Sequence, residues 1–244
     1  MVTFGTTPPR IAPPTTSVSL DRITDFLATV PLFRELERSV VRAFAELTRE
    51  QRFAKGAVIV TEGDPGDALY VVRSGEVKAV LSRDDGREVI LDVFTVGAHF
   101  GELSLIDGRP RSAHVVATQP SSVLVLRRDD FRRQVEASPQ VAWRLMVELS
   151  RRLRQANGTI GSLVLLDVPG RVAKVLLEQA AVGVPATLVK PLTHQTTARM
   201  IGASRETVSR AMADFQEKGL ISVHRRVVTI VDRAALEARA RSRG

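Results

Sequence analysis

Short β-branched runs between Gly56 and about Leu126 constrain the fold more than any other feature of the chain. Clusters of Gly, Asp and Pro separate these runs, as at residues 62–67 and 107–110. Many short strands at close, regular spacing are typical of an antiparallel barrel or roll. The six predicted strands are residues 58–60, 70–72, 77–81, 89–93, 114–117 and 123–126.

Helical patterns flank the predicted roll. Two short helices, separated by Pro31, are expected within residues 20–50, because apolar residues recur there three or four positions apart. A helical pattern returns at Asp129. Residues 1–19 are rich in Pro, Thr and Ser and hold few large apolar side chains, so they predict a disordered arm.

A long helix is expected from Ser138-Pro139 to about Leu166. Its positions spaced alternately four and three apart form a seam of more than three heptads, which favours a parallel homodimer. The alternative is an amphipathic helix packed on its own domain. Residues 167–170, with Pro and Gly, predict the end of the helix and a hinge. The seam consists of Ala142, Met146, Leu149, Leu153, Ala156, Ile160, Leu163 and Asp167.

Charge is distributed unevenly along the 244 residues, whose net charge is +8. Residues 1–169 hold 22 Lys and Arg against 21 Asp and Glu, a net charge of +1. Residues 170–244 hold 13 against 6, a net charge of +7. A short basic domain behind a neutral one indicates contact with a polyanion, most often nucleic acid, and a basic solubility surface is the alternative.

The last third has the pattern of a winged helix-turn-helix. Three helices are expected at residues 171–181, 193–201 and 204–218, followed by two strands at 220–223 and 227–231. Gly202 occupies the tight turn between the second and third helices. Ser204 is a natural N-cap whose hydroxyl oxygen can accept a hydrogen bond from the backbone N–H of Thr207.

The third of these helices is the predicted recognition helix. Arg205 and Arg210 are suited to guanine O6 and N7, and Glu206 is suited to cytosine N4. Ser204 and Ser209 lie in the same turns and belong to the predicted DNA-binding set. Phosphate contacts are expected from the start of the preceding helix and from the wing, although each residue alone fits a solvated surface equally well. They are Thr193, His194, Gln195, Arg225 and Arg226.

The segment from Phe100 to Ala113 carries the chemistry of the roll. Gly101 permits close approach of the backbone, and a short helix starting near Glu102 would direct N–H groups at an anion. Arg111 supplies a fork for a phosphate and Ser112 a hydroxyl donor. A carboxylate such as Glu102 beside a phosphate needs a donor, for example a ribose 2′-OH. The set predicts a ribose with an attached phosphate, and a simple Glu102–Arg111 ion pair is the alternative.

Composition excludes several other classes. The chain has no cysteine, so it forms no disulfide, thiolate zinc site, Cys-ligated iron–sulfur cluster or thiol switch. No apolar run approaches the length of a membrane span, and no signal peptide is evident, so a soluble cytoplasmic protein without membrane contact is expected. A cyclic-nucleotide-regulated enzyme would need a catalytic domain, and the sequence offers no catalytic constellation. We expect no enzyme and no metal.

Taken together, these motifs resemble the CRP/FNR family of bacterial transcription factors, over about residues 20–233. The shared motifs lie in the strand region (Glu62-Gly63-Asp64, Tyr70, Gly75-Glu76-Val77), the 101–113 segment, the hinge (Leu166-Asp167-Val168, Gly170-Arg171) and the recognition helix (residues 202–210). The resemblance implies an α+β protein with an N-terminal antiparallel β-roll of the cyclic nucleotide-binding fold, a long dimerisation helix and a C-terminal winged helix-turn-helix. The implied boundaries are 1–19 for the arm, 20–137 for the roll domain, 138–168 for helix and hinge, and 169–244 for the DNA-binding domain.

The resemblance also implies ligands and partners. They are cAMP as effector, palindromic double-stranded DNA with TGTGA-like half-sites, a second copy of the chain, and RNA polymerase. The implied nucleotide-binding residues are Gly101, Glu102, Leu103, Ser104, Arg111, Ser112, Arg152 and Asn157.

The chain departs from the family at two adenine-binding positions. Family members that bind cAMP carry hydroxyl residues where this chain has Ala156 and Asn157. Asn157 can pair with adenine N6 and N7, whereas Ala156 cannot hydrogen-bond a base. Another nucleotide such as cyclic di-GMP, or activity without ligand, therefore stays open. In the DNA motif, Thr196 and Thr197 replace an acidic and an apolar residue. A haem role for His99 or His114 is the remaining alternative.

Overall fold

A computed structural model describes residues 19–83, 88–180, 186–187, 193–225 and 227–241 of the protein. These residues form two compact units, which are divided between Arg151 and Arg152. The predicted disordered arm lies outside the described residues except for Ser19, and the wing residue Arg226 also lies outside them.

The first unit opens with the two predicted helices, α1 (Leu20–Thr29) and α2 (Arg38–Leu47). Ser19 caps α1, its hydroxyl oxygen accepting from the backbone N–H of Arg22. Both helices are amphipathic, and each buries its apolar stripe. Leu27 and Phe44 are completely buried as a result.

Eight strands of this unit form two antiparallel sheets with orders β1-β8-β3-β6 and β2-β7-β4-β5. Residues of both sheets, among them Val72 and Val77, share one apolar core, so the predicted roll is confirmed. The strands are β1 (Arg49–Phe53), β2 (Val58–Val60), β3 (Ala68–Ser74), β4 (Val77–Ser82), β5 (Glu88–Phe94), β6 (His99–Phe100), β7 (His114–Ala117) and β8 (Ser121–Arg127).

Two of these strands were not expected from the sequence. Strand β1 reads Arg-Glu-Gln-Arg-Phe and lies at a sheet edge, paired only with β8 among the described strands. Its polar side chains give no apolar alternation, so hydrophobic patterning cannot find it. Strand β6 has only two residues, paired with Tyr70 and Val71 of β3.

Three helices complete the first unit and lead into the second: α3 (Glu102–Asp107), α4 (Arg128–Ala137) and α5 (Pro139–Leu165). Helix α4 buries Phe131 in a second core, which α1, α2 and strands β3 and β8 also line. The start of α5 packs there too, through the buried Val141 and Leu145 and the partly buried Leu149. The alternative of packing on its own domain therefore describes this first part of α5.

The second unit contains the expected winged helix-turn-helix and two further elements. Strand β9 and helix α9 were not expected, and β9 pairs with β11. The core of this unit includes Val172, Val208 and Phe215, which are completely buried. The elements are α6 (Val168–Gln179), β9 (Ala186–Thr187), α7 (His194–Ile201), α8 (Arg205–Glu217), β10 (Ile221–His224), β11 (Val227–Ile230) and α9 (Arg233–Arg239).

The predicted hinge at residues 167–170 is wrong in its extent. Helix α5 ends at Leu165, and α6 begins at Val168, so only two residues separate them. Asp167 is the N-cap of α6, and its Oδ1 accepts from the N–H of Gly170 at 2.9 Å. Pro169 lies in the first turn, where its missing N–H costs nothing, so these residues start a helix instead of interrupting one.

Candidate functional site

Arg111 is a buried cation of the first unit. Its side chain is only 5% exposed. One terminal nitrogen donates to the carbonyl of Gly101 at 3.0 Å, and the other donates to the carbonyl of Ala68 at 2.9 Å. The latter nitrogen lies 3.8 Å from Oδ1 of the exposed Asp67. A buried guanidinium needs such partners to offset its loss of hydration, and they determine how the group is turned.

Two glycines allow this close packing around Arg111. A Cβ on Gly101 would lie 2.6 Å from a terminal nitrogen of Arg111 and 2.9 Å from the carbonyl oxygen of Ala68. Gly101 also has a φ of +89°, a region that L side chains rarely adopt. A Cβ on Gly66 would lie 2.1 Å from Cβ of Ser104. Both positions therefore require glycine for steric reasons.

The loop at residues 61–67 closes over Arg111 through backbone bonds. The N–H of Gly63 donates to the carbonyl of Arg111, and the N–H of Arg111 donates to the carbonyl of Asp64, both at 2.9 Å. Arg128 joins this loop to α3, because it donates to the carbonyl of Gly66 and, at 3.0 Å, to that of Ser104. These contacts join segments far apart in sequence.

An aromatic stack lies beside the guanidinium of Arg111. The ring of Tyr70 stacks on Phe100 with centroids 4.9 Å apart, and Phe94 stacks on Phe100 at 5.4 Å. The guanidinium carbon of Arg111 lies 5.5 Å from the centroid of Tyr70, within cation–π range. Burial raises the pKa of Tyr70 above its ordinary value, and the positive charge of Arg111 acts in the opposite direction.

The structure brings most predicted nucleotide-binding residues of the roll together. The short helix α3 begins at Glu102, as expected, and Glu102 and Ser104 are buried within it. Leu103 is 46% exposed on the same helix, and Ser112 is exposed next to Arg111. Arg152 and Asn157 lie on α5 in the second unit, Arg152 partly buried and Asn157 exposed.

Sequence reasoning missed the groups that hold Arg111 in place. The sequence predictions included Tyr70 only as a strand residue and part of a family motif, and Asp67 only as part of a turn; they did not include Ala68 or Arg128. Ala68 contributes its backbone carbonyl, and Arg128 donates to backbone carbonyls. No sequence pattern predicts these contacts, because backbone carbonyls occur at every residue. The one signal for this site was Tyr70, an aromatic residue whose strand pairs with β6, directly before Gly101.

The two histidines considered as haem ligands lie in strands β6 and β7 of the roll. His99 is 2% exposed and lies in β6. His114 Nδ1 accepts from the backbone N–H of Glu62 at 3.1 Å, and its Nε2 lies 3.7 Å from the carboxylate of the same residue. Within the described ranges, no group of three or more His, Asp or Glu residues could hold a metal ion.

Helix α5 exposes apolar side chains at several seam positions. Met146, Leu153, Ile160 and Leu163 are 52%, 63%, 59% and 46% exposed, and Ala156 is exposed between them. Leu149 differs, because it packs partly in the core of the first unit. In the part of the chain that the structure describes, no helix is both long and apolar enough to cross a membrane.

The helix-turn-helix has the expected local geometry. Gly202 ends α7 in the left-handed conformation, with a φ of +62°. Ser204 caps α8, since its Oγ accepts from the N–H of Thr207 at 3.1 Å. Thr193 caps α7 in the same way through Thr196 at 3.1 Å. Thr197, one of the two residues that differ from the family pattern, is buried in α7, so it contributes to packing.

The predicted DNA-binding side chains of α8 all lie exposed in its first two turns. Arg205, Glu206, Ser209 and Arg210 are exposed. A hydrogen bond from its own backbone N–H, followed by one from Ser204, lowers the pKa of Glu206 below its ordinary value. The carboxylate therefore stays ionised and able to accept at neutral pH. At the start of α7, Thr193 and Gln195 are exposed and His194 is half-buried.

The wing is a short antiparallel hairpin of β10 and β11. His224 pairs with Val227, so Arg225 occupies the turn, where it is exposed and has a φ of +48°. A non-glycine residue in this region bears a conformational cost. An exposed arginine at the tip of the hairpin is available to an external anion.

Comparison with known proteins agrees with this architecture. A sequence model of the cyclic nucleotide-binding domain matches residues 50–138, and a model of the Crp-like helix-turn-helix domain matches residues 170–239. A CRP-like cAMP-activated global transcriptional regulator of Mycobacterium tuberculosis is 36% identical over 222 residues, which cover 89% of this chain and 99% of the relative.

Two solved structures extend the comparison. The Thermus thermophilus catabolite activator protein is 33% identical, covers 86% of this chain and 98% of its own, and superposes with a TM-score of 0.51. The c-di-GMP responsive regulator CLP of Xanthomonas campestris has the same fold at 23% identity, with a TM-score of 0.69 and coverage of 80% of this chain and 99% of its own. With its cyclic nucleotide-binding roll, long helix and helix-turn-helix, this chain belongs to the CRP/FNR family of transcription regulators.

Proposed function

We propose that the protein is a homodimeric regulator whose binding to palindromic DNA is controlled by cAMP. The observation that carries the proposal is the pairing, in one chain, of a buried arginine in a nucleotide-binding roll with an exposed basic recognition helix. The cAMP-activated relative from Mycobacterium tuberculosis supports cAMP as the effector.

Arg111 is proposed to hold the cyclic phosphate. The carbonyls of Gly101 and Ala68 occupy two of the five N–H groups of its guanidinium. The low exposure of the site strengthens any charge-assisted bond made there. Ser112, exposed beside it, would add a hydroxyl donor, and backbone N–H groups near Gly101 and Leu103 would complete the anion contacts.

Glu102 is proposed to accept a hydrogen bond from the ribose 2′-OH. It is buried and lies at the start of α3, where the helix dipole favours a negative charge. The base is assigned to α5, where Asn157 would pair with adenine N6 and N7 and Arg152 would help to organise the pocket. Ala156 offers no hydrogen bond, which leaves the base held by fewer polar contacts than in a site with two hydroxyl residues.

The dimer is proposed to form through α5. Exposed apolar side chains at heptad spacing are unfavourable in water, and a second copy of the helix would bury them. In a two-fold dimer the two recognition helices would be spaced about 34 Å apart, one turn of B-DNA. Half-sites similar to TGTGA, contacts with RNA polymerase and a cytoplasmic location complete the proposal.

DNA reading is assigned to the start of α8, including its N-cap Ser204 and Ser209, with phosphate contacts from Thr193, His194, Gln195 and the wing. Arg205 and Arg210 would bind guanine edges and Glu206 a cytosine N4. Since ligand and DNA would stabilise one common state of the dimer, each would tighten the binding of the other.

A second candidate keeps the DNA-binding role and changes the ligand. Ala156 favours it, because this position lacks the hydroxyl that cAMP-binding members present to adenine. The effector would then be another nucleotide such as cyclic di-GMP, or the regulator would be active without ligand.

Calorimetry of the full-length protein with cAMP and, separately, with cyclic di-GMP tests the effector. We expect saturable binding of cAMP that is lost in Arg111→Ala, while the oligomeric state of this variant stays that of the wild type. Binding of cyclic di-GMP alone would assign the second ligand. Binding of neither would show that the roll is a scaffold and would contradict the proposed control.

A further inference from the structure

We propose that Tyr70 is a positioning residue of the nucleotide site, which fixes the guanidinium plane of Arg111 for the phosphodiester. This inference rests on the proposed function and adds to it a residue that contacts Arg111 rather than the sugar. Tyr70 lies in β3, two residues after Ala68, whose carbonyl also binds Arg111.

Two kinds of contact hold the guanidinium of Arg111, namely hydrogen bonds and an aromatic ring. Two carbonyls, of Gly101 and Ala68, accept from its terminal nitrogens and determine how the group is turned. Two hydrogen bonds from the terminal nitrogens leave a planar group free to tilt about the line that joins those nitrogens. The ring of Tyr70, with its centroid 5.5 Å from the guanidinium carbon, supports the group from one side and limits this motion.

The ring of Tyr70 is itself held in place. It is stacked almost parallel on Phe100, with an interplanar angle of 4° and a centroid distance of 4.9 Å. Strand β3 pairs Tyr70 with Val125 of β8 and with Phe100 of β6, so backbone hydrogen bonding fixes it on both sides. A rigid platform under a guanidinium reduces the entropy that an anion must remove on binding.

Charge adds to this steric role. The Tyr70 hydroxyl is neutral at physiological pH, and burial raises the pKa of Tyr70 further above its ordinary value. The positive charge of Arg111 opposes that rise. A bound phosphate would neutralise Arg111 and remove the opposition. Tyr70 is the only tyrosine of the chain, so its ionisation can be followed without interference from another phenol.

The first experiment needs no ligand. Tyrosinate absorbance is followed during alkaline titration of the wild type and of Arg111→Gln. Loss of the neighbouring charge should raise the midpoint for Tyr70 in the variant. An unchanged midpoint would show that the two side chains do not interact in solution and would overturn the proposal, whatever nucleotide the protein binds.

The second experiment measures nucleotide affinity by calorimetry with cAMP. Tyr70→Leu should weaken binding about tenfold, whereas Tyr70→Phe, which keeps the ring, should stay within about twofold of the wild type. Phe94→Leu is the matched control: Phe94 belongs to the same core and stacks on Phe100, and Arg111 makes its aromatic contact with Tyr70. Phe94→Leu should cost similar stability with little change in affinity.

A double-mutant cycle separates positioning from a general loss of packing. Because Tyr70 acts through Arg111, Tyr70→Leu should cause no further loss of affinity in an Arg111→Lys background, where weakened binding remains measurable. Additive losses, or equal losses in Tyr70→Leu and Phe94→Leu, would overturn the role of Tyr70. A wild type that binds cAMP while Tyr70→Leu binds it equally well would overturn this inference alone. A wild type that binds no cAMP contradicts the proposed effector instead.

Discussion

Arg239, in the C-terminal helix α9, donates a hydrogen bond of 2.5 Å to Oδ2 of Asp167, 72 positions earlier in the chain. The other carboxylate oxygen of Asp167 caps α6 through Gly170. Arg239, followed by the N–H of Gly170, lowers the pKa of Asp167 below its ordinary value of 3.8, against the effect of burial. One carboxylate therefore starts α6 directly after the end of α5 and ties α9 to that start.

Replacement of Arg239 by Ala should destabilise the start of α6. The ion pair is partly buried, so we expect a loss of about 1 kcal/mol in the free energy of unfolding, measured by urea denaturation. Arg241→Ala is the matched control, because Arg241 is exposed just after α9 and pairs 3.5 Å away with Glu237 of that helix. Equal losses in both variants would contradict a specific role for the Asp167 contact.

The same contact predicts a pH dependence. Since the folded-state pKa of Asp167 is lowered, its contribution is complete above the unfolded value near 3.8 and is lost as the pH falls through the folded-state pKa. Asp167→Asn keeps a capping side chain and removes the charge. The stability difference between the wild type and Asp167→Asn should therefore shrink below about pH 4. A difference that is constant between pH 7 and pH 3 would contradict the ion pair.

Gly101→Ala should disable the nucleotide site. Its Cβ would lie 2.6 Å from Arg111, so the guanidinium must move away from the Gly101 and Ala68 carbonyls. We expect a loss of at least about tenfold in cAMP affinity by calorimetry, equal to about 1.4 kcal/mol. Gly97→Ala is the control: Gly97 has a similar φ of +85°, but a Cβ there has no neighbour within 4 Å. Gly97→Ala should introduce a similar backbone strain and keep the wild-type affinity for cAMP.

Leu153→Asp should dissociate the proposed dimer. A charge at the middle of the seam would be buried without a partner between two helices, which is strongly unfavourable. Sedimentation equilibrium should give the mass of one chain for this variant. Leu165→Asp introduces the same charge at a position 58% exposed and on the opposite side of α5 from the seam, and it should remain dimeric. A dimeric Leu153→Asp would place the interface elsewhere.

Glu206→Ala should relax the reading of one base pair. The exposed, ionised carboxylate is proposed to accept from cytosine N4, and its loss should cost about 1–3 kcal/mol on the preferred duplex. Competition between duplexes that differ at each half-site position would detect the change. Arg225→Ala, in the wing, should instead weaken binding to all duplexes alike and lessen its dependence on salt. An equal loss of affinity for all duplexes in Glu206→Ala would indicate that Glu206 acts at the DNA backbone and not at a base.

The parts of the fold that sequence could predict are those set by local rules. The heptad positions of α5, the left-handed turn at Gly202 and the cap at Ser204 follow from spacing and residue type over a few positions. Strand β1 escaped prediction because its pairing with β8 supplies the apolar neighbours that its own polar sequence lacks. Helix α9 has helix-forming residues, but it begins where the motif-based resemblance over about residues 20–233 ends, and only the Crp-like domain model extends to residue 239.

The same difference between local and non-local features applies to the candidate site. Arg111, Glu102 and Gly101 were predicted from residue chemistry within a dozen positions. The carbonyl of Ala68, 43 residues away, and the ring of Tyr70 come to Arg111 only through the pairing of β3 with β6 and β8. Non-local pairing likewise creates the Arg239–Asp167 contact, which no local pattern signals.

In the proposed function, the roll controls DNA binding by the helix-turn-helix. Fluorescence anisotropy of a labelled palindromic duplex with TGTGA half-sites, titrated with the full-length protein at fixed salt, tests it directly. We expect saturating cAMP to tighten DNA binding by the wild type and to leave the DNA affinity of Arg111→Ala unchanged. Equal affinity of the wild type with and without saturating cAMP would contradict it.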